Sequence, residues 1–134
     1  MPLERTSPRA LSAANQIIEA IGAKAKVLEA MEHDQILAST SHLPFLLASA
    51  LALNTPDKFS SFVGTGFRST SRVAGTSSSM MLGVLQSNRE NVLSALHGLQ
   101  TQLSGIESAL SSEDFVKLES ILNEAQTKYQ ALTQ

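Results

Sequence analysis

Arg68 and Arg72 stand four positions apart in a stretch that also carries Lys58 and Arg89 and has no acidic residue between Asp57 and Glu90. A guanidinium presents a planar fork of donors that meets a carboxylate through two parallel hydrogen bonds, which a lysine cannot copy. If residues 66–74 form a helical turn, side chains four apart project from one face, and the pair points to a small anion, most simply a carboxylate. The plainer alternative pairs the same arginines with acids on other helices, such as Asp34 or Glu32. The second candidate is the dipeptide Ser41-His42, just ahead of Pro44 in an otherwise apolar run. His42 can donate to or accept from the same ligand, although a lone histidine on an apolar helix is also commonly satisfied within a core. His33 and His97 carry less signal, and three scattered histidines without paired carboxylates make no metal site.

These residues need elements to hold them. Ser7 followed by Pro8 is an N-cap and first-turn pair, and the spacing of Leu11, Ala14, Ile17, Ile18 and Ile21 predicts a first helix that Gly22 ends. Residues 23–29 alternate weakly and read as a short edge strand or a linker. A second helix is expected over 32–54, with Pro44 inside it. An interior proline removes one backbone hydrogen bond and crowds the carbonyl four residues earlier, so a kink over 40–44 is expected, freeing carbonyls beside Ser41 and His42. Residues 54–79, with Pro56, Gly64, Gly66, Gly75 and many Ser and Thr, read as loop or short helix. Beyond them, Val92, Leu96, Leu99, Leu103, Ile106 and Leu110 step by 4, 3, 4, 3 and 4. Ser111, Ser112, Glu113 and Asp114 supply a turn and an acidic helix start. Phe115, Leu118, Leu122, Ala125, Tyr129 and Leu132 then continue the same period, predicting two antiparallel helices with matching seams. Gly98 and Gly105, seven apart on the first of them, imply the close approach of a neighbouring backbone, from this chain or from a second copy.

Composition bounds the rest. The 134 residues are 43% hydrophobic and 16% charged, with 10 Lys+Arg against 12 Asp+Glu and a net charge of -2. One compact domain over 1–134, or one large piece of a longer protein, is the expectation, and nothing in the charge balance favours nucleic acid or a membrane surface. The absence of cysteine removes disulfides, zinc ribbons, iron–sulfur ligation and thiol catalysis, and fits a reducing compartment. The apolar run 43–53 is shorter than the roughly 20 residues that cross a bilayer. The opening MPLERTSPR has no apolar core behind it and reads as no secretory signal, so a cytoplasmic protein is expected. Neither GxGxxG nor GxxxxGK[ST] occurs, so a nucleotide would have to be held elsewhere.

The run from His33 to Pro44 (HDQILASTSHLP), followed by Gly66-Phe67-Arg68-Ser69-Thr70-Ser71-Arg72-Val73-Ala74, resembles the C-terminal helical domain of prephenate and arogenate dehydrogenases. The similarity extends over nearly the whole chain, and even Pro2-Leu3-Glu4-Arg5-Thr6 is similar to the segment leaving the last strand of that family's nucleotide-binding domain. The resemblance implies an all-α fold of the 6-phosphogluconate-dehydrogenase C-terminal-like type, ending in a long helical hairpin. It implies oxidative decarboxylation of prephenate or arogenate in tyrosine biosynthesis, with NAD or NADP bound by a separate Rossmann domain and none by this chain alone, and a homodimer. Arg72 takes the position of the arginine that binds the substrate's ring carboxylate, and His42 that of the Ser-His-Leu-Pro histidine in the same cleft. Arg68, Ser41 and Gly66 complete the implied substrate-binding set, and the catalytic histidine belongs to the nucleotide-binding half, so no catalytic residue is expected here. Departures are Ser69 in place of an acidic residue, Phe45 in place of a second histidine, Thr65 in place of a glycine, and Met80 and Met81 where a tryptophan is frequent. Two other readings compete: a stand-alone helical interaction module whose heptad helices dimerise, and the helical domain of another Rossmann dehydrogenase acting on a different acid.

Overall fold

The computed structural model describes residues 6–133, and the similarity seen at residues 2–5 lies outside them. Among the described residues there are seven α-helices and no strand: α1 (Pro8–Ala20), α2 (Ala30–Leu37), α3 (Leu43–Asn54), α4 (Thr65–Ser71), α5 (Ser78–Ser87), α6 (Arg89–Ser111) and α7 (Phe115–Leu132). The all-α expectation holds.

The ends of α1 follow from local chemistry. Ser7 accepts from the Ala10 N–H at 3.2 Å, and Pro8 occupies the first turn, where its missing N–H costs nothing. At the other end Gly22 takes φ 74, and the Ala23 and Gly22 N–H groups bond back to Ile18 O and Glu19 O. That left-handed cap satisfies the last carbonyls and is cheap only for glycine. Residues 23–29 form no regular element, which settles the strand-or-linker choice for a linker. α1 packs extensively on no other helix, and Ile17 and Ile21 stay 65% and 74% exposed.

Pro44 does not break the second helix. From Ala30 to Asn54 the chain runs as 25 helical residues, with a π-helical turn at Ala38–His42 immediately before the proline. There the Leu43 N–H reaches back five residues to Ala38 O, so the backbone widens where the proline ring would have met the preceding carbonyl. The expected kink is replaced by this one-turn bulge. By length and by the mean hydropathy of its most apolar 18-residue window (1.6) the continuous helix is sufficient to cross a bilayer, longer than the run 43–53 taken from sequence. Its contacts make it the centre of the bundle instead: the π turn and α3 pack on α6, on α4 and on the 3-10 turn Arg72–Gly75. Ala38, His42 and Ala48 are buried along it.

Residues 54–79 resolve into a 3-10 turn (Asp57–Phe62), α4 and the Arg72–Gly75 turn, as a glycine- and serine-rich segment of short helices should. The C-terminal hairpin forms as the heptads predict. Its corner uses Glu113 at φ 55, with Asp114 N–H bonded to Ala109 O at 2.9 Å, and Asp114 then caps α7 by accepting from Lys117 N at 2.9 Å.

The matching seams do not bury one another throughout. Ala109 is fully buried and Val92 nearly so, but Leu103, Leu110, Phe115, Leu122, Tyr129 and Leu132 keep 49%, 53%, 62%, 57%, 67% and 81% of their exposure. α6 is engaged by α2, α3 and the π turn as well as by α7. Nor does any neighbour crowd Gly98 or Gly105, since a Cβ added at either meets nothing within 4 Å. The close approach expected at these glycines is therefore absent within the chain. Among the described residues no large side chain is fully buried, and the buried apolar residues are Ala38, Ala48, Met81, Val92 and Ala109.

Candidate functional site

Arg68 lies in the last turn of α4 and Arg72 opens the following 3-10 turn, so the helical run expected over 66–74 is present. Both side chains are exposed. The ion pairs among the described residues are His33 with Asp34 and Arg89 with Glu90, so neither Arg68 nor Arg72 is neutralised by Asp34 or Glu32. The carboxylate of Asp34 is instead held by His33 Nδ1 at 3.0 Å.

His42 closes the π turn with only 5% of its surface exposed. Its Nδ1 faces Asn88 Nδ2 at 3.4 Å; that same amide nitrogen donates to the Asp34 carbonyl at 2.7 Å, and Asn88 Oδ1 accepts from Asn91 Nδ2 at 2.8 Å. Every buried side-chain nitrogen and oxygen among the described residues has a hydrogen-bond partner. Nε2 of His42 has none among them. Asn88 was not singled out by sequence reasoning. Its signal was an asparagine between two helical segments, which reads as an ordinary cap.

A shallow groove runs between the two parts of the recognised pattern. Ser39, Leu43, Pro44 and Leu47 form one wall and Ser69, Thr70 and Val73 the other, and Leu99 completes the lining. The packing of α3 against the Arg72–Gly75 turn puts these walls side by side. Arg68 adjoins Ser69, Arg72 adjoins Val73 and His42 adjoins Leu43 along the chain, but none of the three lines the groove itself. The expectation that Arg72 and His42 face one shared concavity is thus met only by their immediate neighbours. The reason is physical: a lone helical layer cannot enclose a guanidinium without a second wall or an anion to compensate the lost hydration. Ser41 is exposed in the π turn, and Gly66 sits in α4 with open space where a side chain would be. Of the departures from the family pattern, Ser69 lines the groove, Phe45 is half-buried, Thr65 is exposed at the start of α4, and Met81 is a core residue of α5.

The family described as prephenate dehydrogenase, dimerization domain, matches residues 29–124, more than half of the chain. The chain belongs to this family. A prephenate dehydrogenase of Lactococcus lactis subsp. cremoris is 28% identical over 123 residues, covering 87% of this chain and 35% of the relative. Among solved structures, Synechocystis arogenate dehydrogenase superposes with a TM-score of 0.80 at 24% identity, over 99% of this chain and 51% of that one. Prephenate dehydrogenase from A. aeolicus, in complex with hydroxyphenyl propionate and NAD+, gives 0.80 at 23% identity, over 98% and 48%. At that identity the two structures establish the fold. The chain thus spans about a third of the curated relative and about half of each solved one. Membership in the dimerization-domain family favours the dehydrogenase reading over a stand-alone interaction module, and the family match begins at residue 29, beyond α1.

Proposed function

We propose that this chain is the substrate-binding and dimerisation part of a prephenate or arogenate dehydrogenase, acting with a nucleotide-binding domain that carries NAD or NADP. The observation that carries the reading is the groove whose two walls are the two recognised segments, flanked by arginines with no acidic partner among the described residues. In this reading Arg72 anchors a carboxylate through its paired donors, Arg68 adds to the local positive field, and His42 donates from the edge of the groove. Ser41 and the open backbone at Gly66 complete the binding surface.

A nicotinamide cofactor supplies hydride acceptance in such an oxidation, but this chain has no glycine-rich strand-turn-helix to place a pyrophosphate. Its own residues bind and orient the carboxylate and cover one side of the cleft. The opposing wall belongs to the nucleotide-binding domain, and the uncovered face of α1 fits a docking role against it. The exposed apolar side chains of α6 and α7 suit a two-fold contact with a second copy. A soluble, cytoplasmic enzyme goes with this reading.

The test is kinetic. In the enzyme assembled from this chain and its nucleotide-binding domain, Arg72→Ala raises KM for the carboxylate substrate by about tenfold or more, the worth of a hydrogen bond to a charged group, with a smaller change in kcat. An unchanged KM removes Arg72 from the site. Hydroxyphenyl propionate serves as the equilibrium probe, and its binding weakens in parallel with the rise in KM.

A further inference from the structure

Asn88 is placed to cap α6, yet its side chain makes no capping hydrogen bond. Asparagine is among the best N-caps, and giving up that bond leaves one of the helix's first N–H groups to other partners. The side chain is turned instead into the bundle, 7% exposed, toward residues more than forty positions earlier. Its orientation is fixed by chemistry. The Asp34 carbonyl can only accept, so the atom 2.7 Å from it is the amide nitrogen, and the amide oxygen is left to accept from Asn91. The second N–H of that nitrogen then faces His42 Nδ1. A donor on this side requires a lone pair on Nδ1, so the neutral ring carries its proton on Nε2, the nitrogen that has no partner among the described residues.

We infer that Asn88 is a positioning residue that holds His42 as the Nε2–H tautomer, leaving a hydrogen-bond donor, not an acceptor, on the ring nitrogen opposite Asn88. The partner suited to that N–H is an anionic or carbonyl oxygen. This last step rests on the reading of His42 as part of the anion site; the tautomer does not. The Asp34 carbonyl is part of the device, because it also receives the Ala38 N–H at the entry to the π turn. One amide thereby ties the bulge, the histidine and α6 together.

The tautomer is read directly by long-range 15N–1H correlation on the 134-residue chain, at a pH above the ordinary histidine range. The wild-type spectrum shows a pyrrole-like Nε2 and a pyridine-like Nδ1 for His42; a protonated Nδ1 there overturns the inference without recourse to any variant. Asn88→Asp puts an accepting carboxylate in place of the donor and moves the proton to Nδ1, whereas a purely structural asparagine leaves the ring nitrogens as they were. Retention of Nε2–H in a folded Asn88→Asp protein therefore also overturns it. Should the carboxylate variant fail to fold by circular dichroism, Asn88→Leu replaces it: loss of the single-tautomer signature supports the assignment, and its persistence refutes it. Binding of hydroxyphenyl propionate in the same samples separates the two claims. A correct tautomer with no binding that depends on His42 or Arg72 leaves Asn88's role standing and removes the anion site.

Discussion

Replacing Leu122 by alanine probes whether the uncovered stripe on α7 is an interface between two copies. Leu122 retains 57% of its exposure. Complete burial of a leucine is worth about 1.5–3 kcal/mol, so covering the remaining half contributes roughly 1–1.7 kcal/mol. In a two-fold contact each residue appears twice, giving about 2–3 kcal/mol per dimer, or on the order of a hundredfold in dissociation constant. Alanine is the strongest helix former, so α7 itself is not weakened. Sedimentation equilibrium over a range of concentrations measures the dissociation constant, and circular dichroism checks that the helices persist. A change below about threefold in a folded variant would refute the placement of Leu122 at the interface. It would also undo the account of the exposed seam as surface awaiting a second copy.

Other consequences follow from the same coordinates. The thermal midpoint of the isolated chain rises with protein concentration, since a core without one large fully buried side chain depends on association; scanning calorimetry at several concentrations tests this. Gly98→Ala stabilises the chain by about 1 kcal/mol in urea denaturation, because the added Cβ meets nothing within 4 Å and helix propensity alone decides. Asp114→Ala costs about 1 kcal/mol by the same assay, the worth of the cap it gives the Lys117 N–H. Glu113→Gly leaves stability level or raises it by up to about 1 kcal/mol, relieving a left-handed residue at φ 55, while Glu113→Val lowers it.

The sequence made some parts of this legible and hid others for definite reasons. Ser7, Gly22 and Asp114 announced their helix ends because capping is a local transaction between one side chain and the nearest backbone groups. The heptad stripes were equally readable, but periodicity tells that a face is apolar, not what covers it, and most of the α7 stripe is left bare. Pro44 signalled a disturbance correctly. Whether a helix answers a proline by kinking or by widening into a π turn depends on what packs around it, here α6 and the Arg72–Gly75 turn. At the site, Arg68 and Arg72 could be singled out from charge and spacing, and His42 from its place before the proline. Asn88 could not, because its partners Asp34 and His42 lie 54 and 46 residues away and only the fold joins them. The break between α5 and α6 at this residue was missed for the same reason.

The π turn at Ala38–His42 amounts to one residue more than an uninterrupted α-helix would hold. Because the bulge stores that extra residue, deleting Thr40 would leave every side chain between the turn and Asn54 chemically unaltered and close to its present orientation, and would close the turn to ordinary helical bonding, whereas a deletion elsewhere in the helix would turn everything beyond it by about 100°. Pro44 would then meet an ordinary helical carbonyl. Chain length, counted to the single residue, is therefore as much a determinant of this groove as the identity of any side chain in it, and indels in this helix outside the turn are expected to be far less tolerated than substitutions.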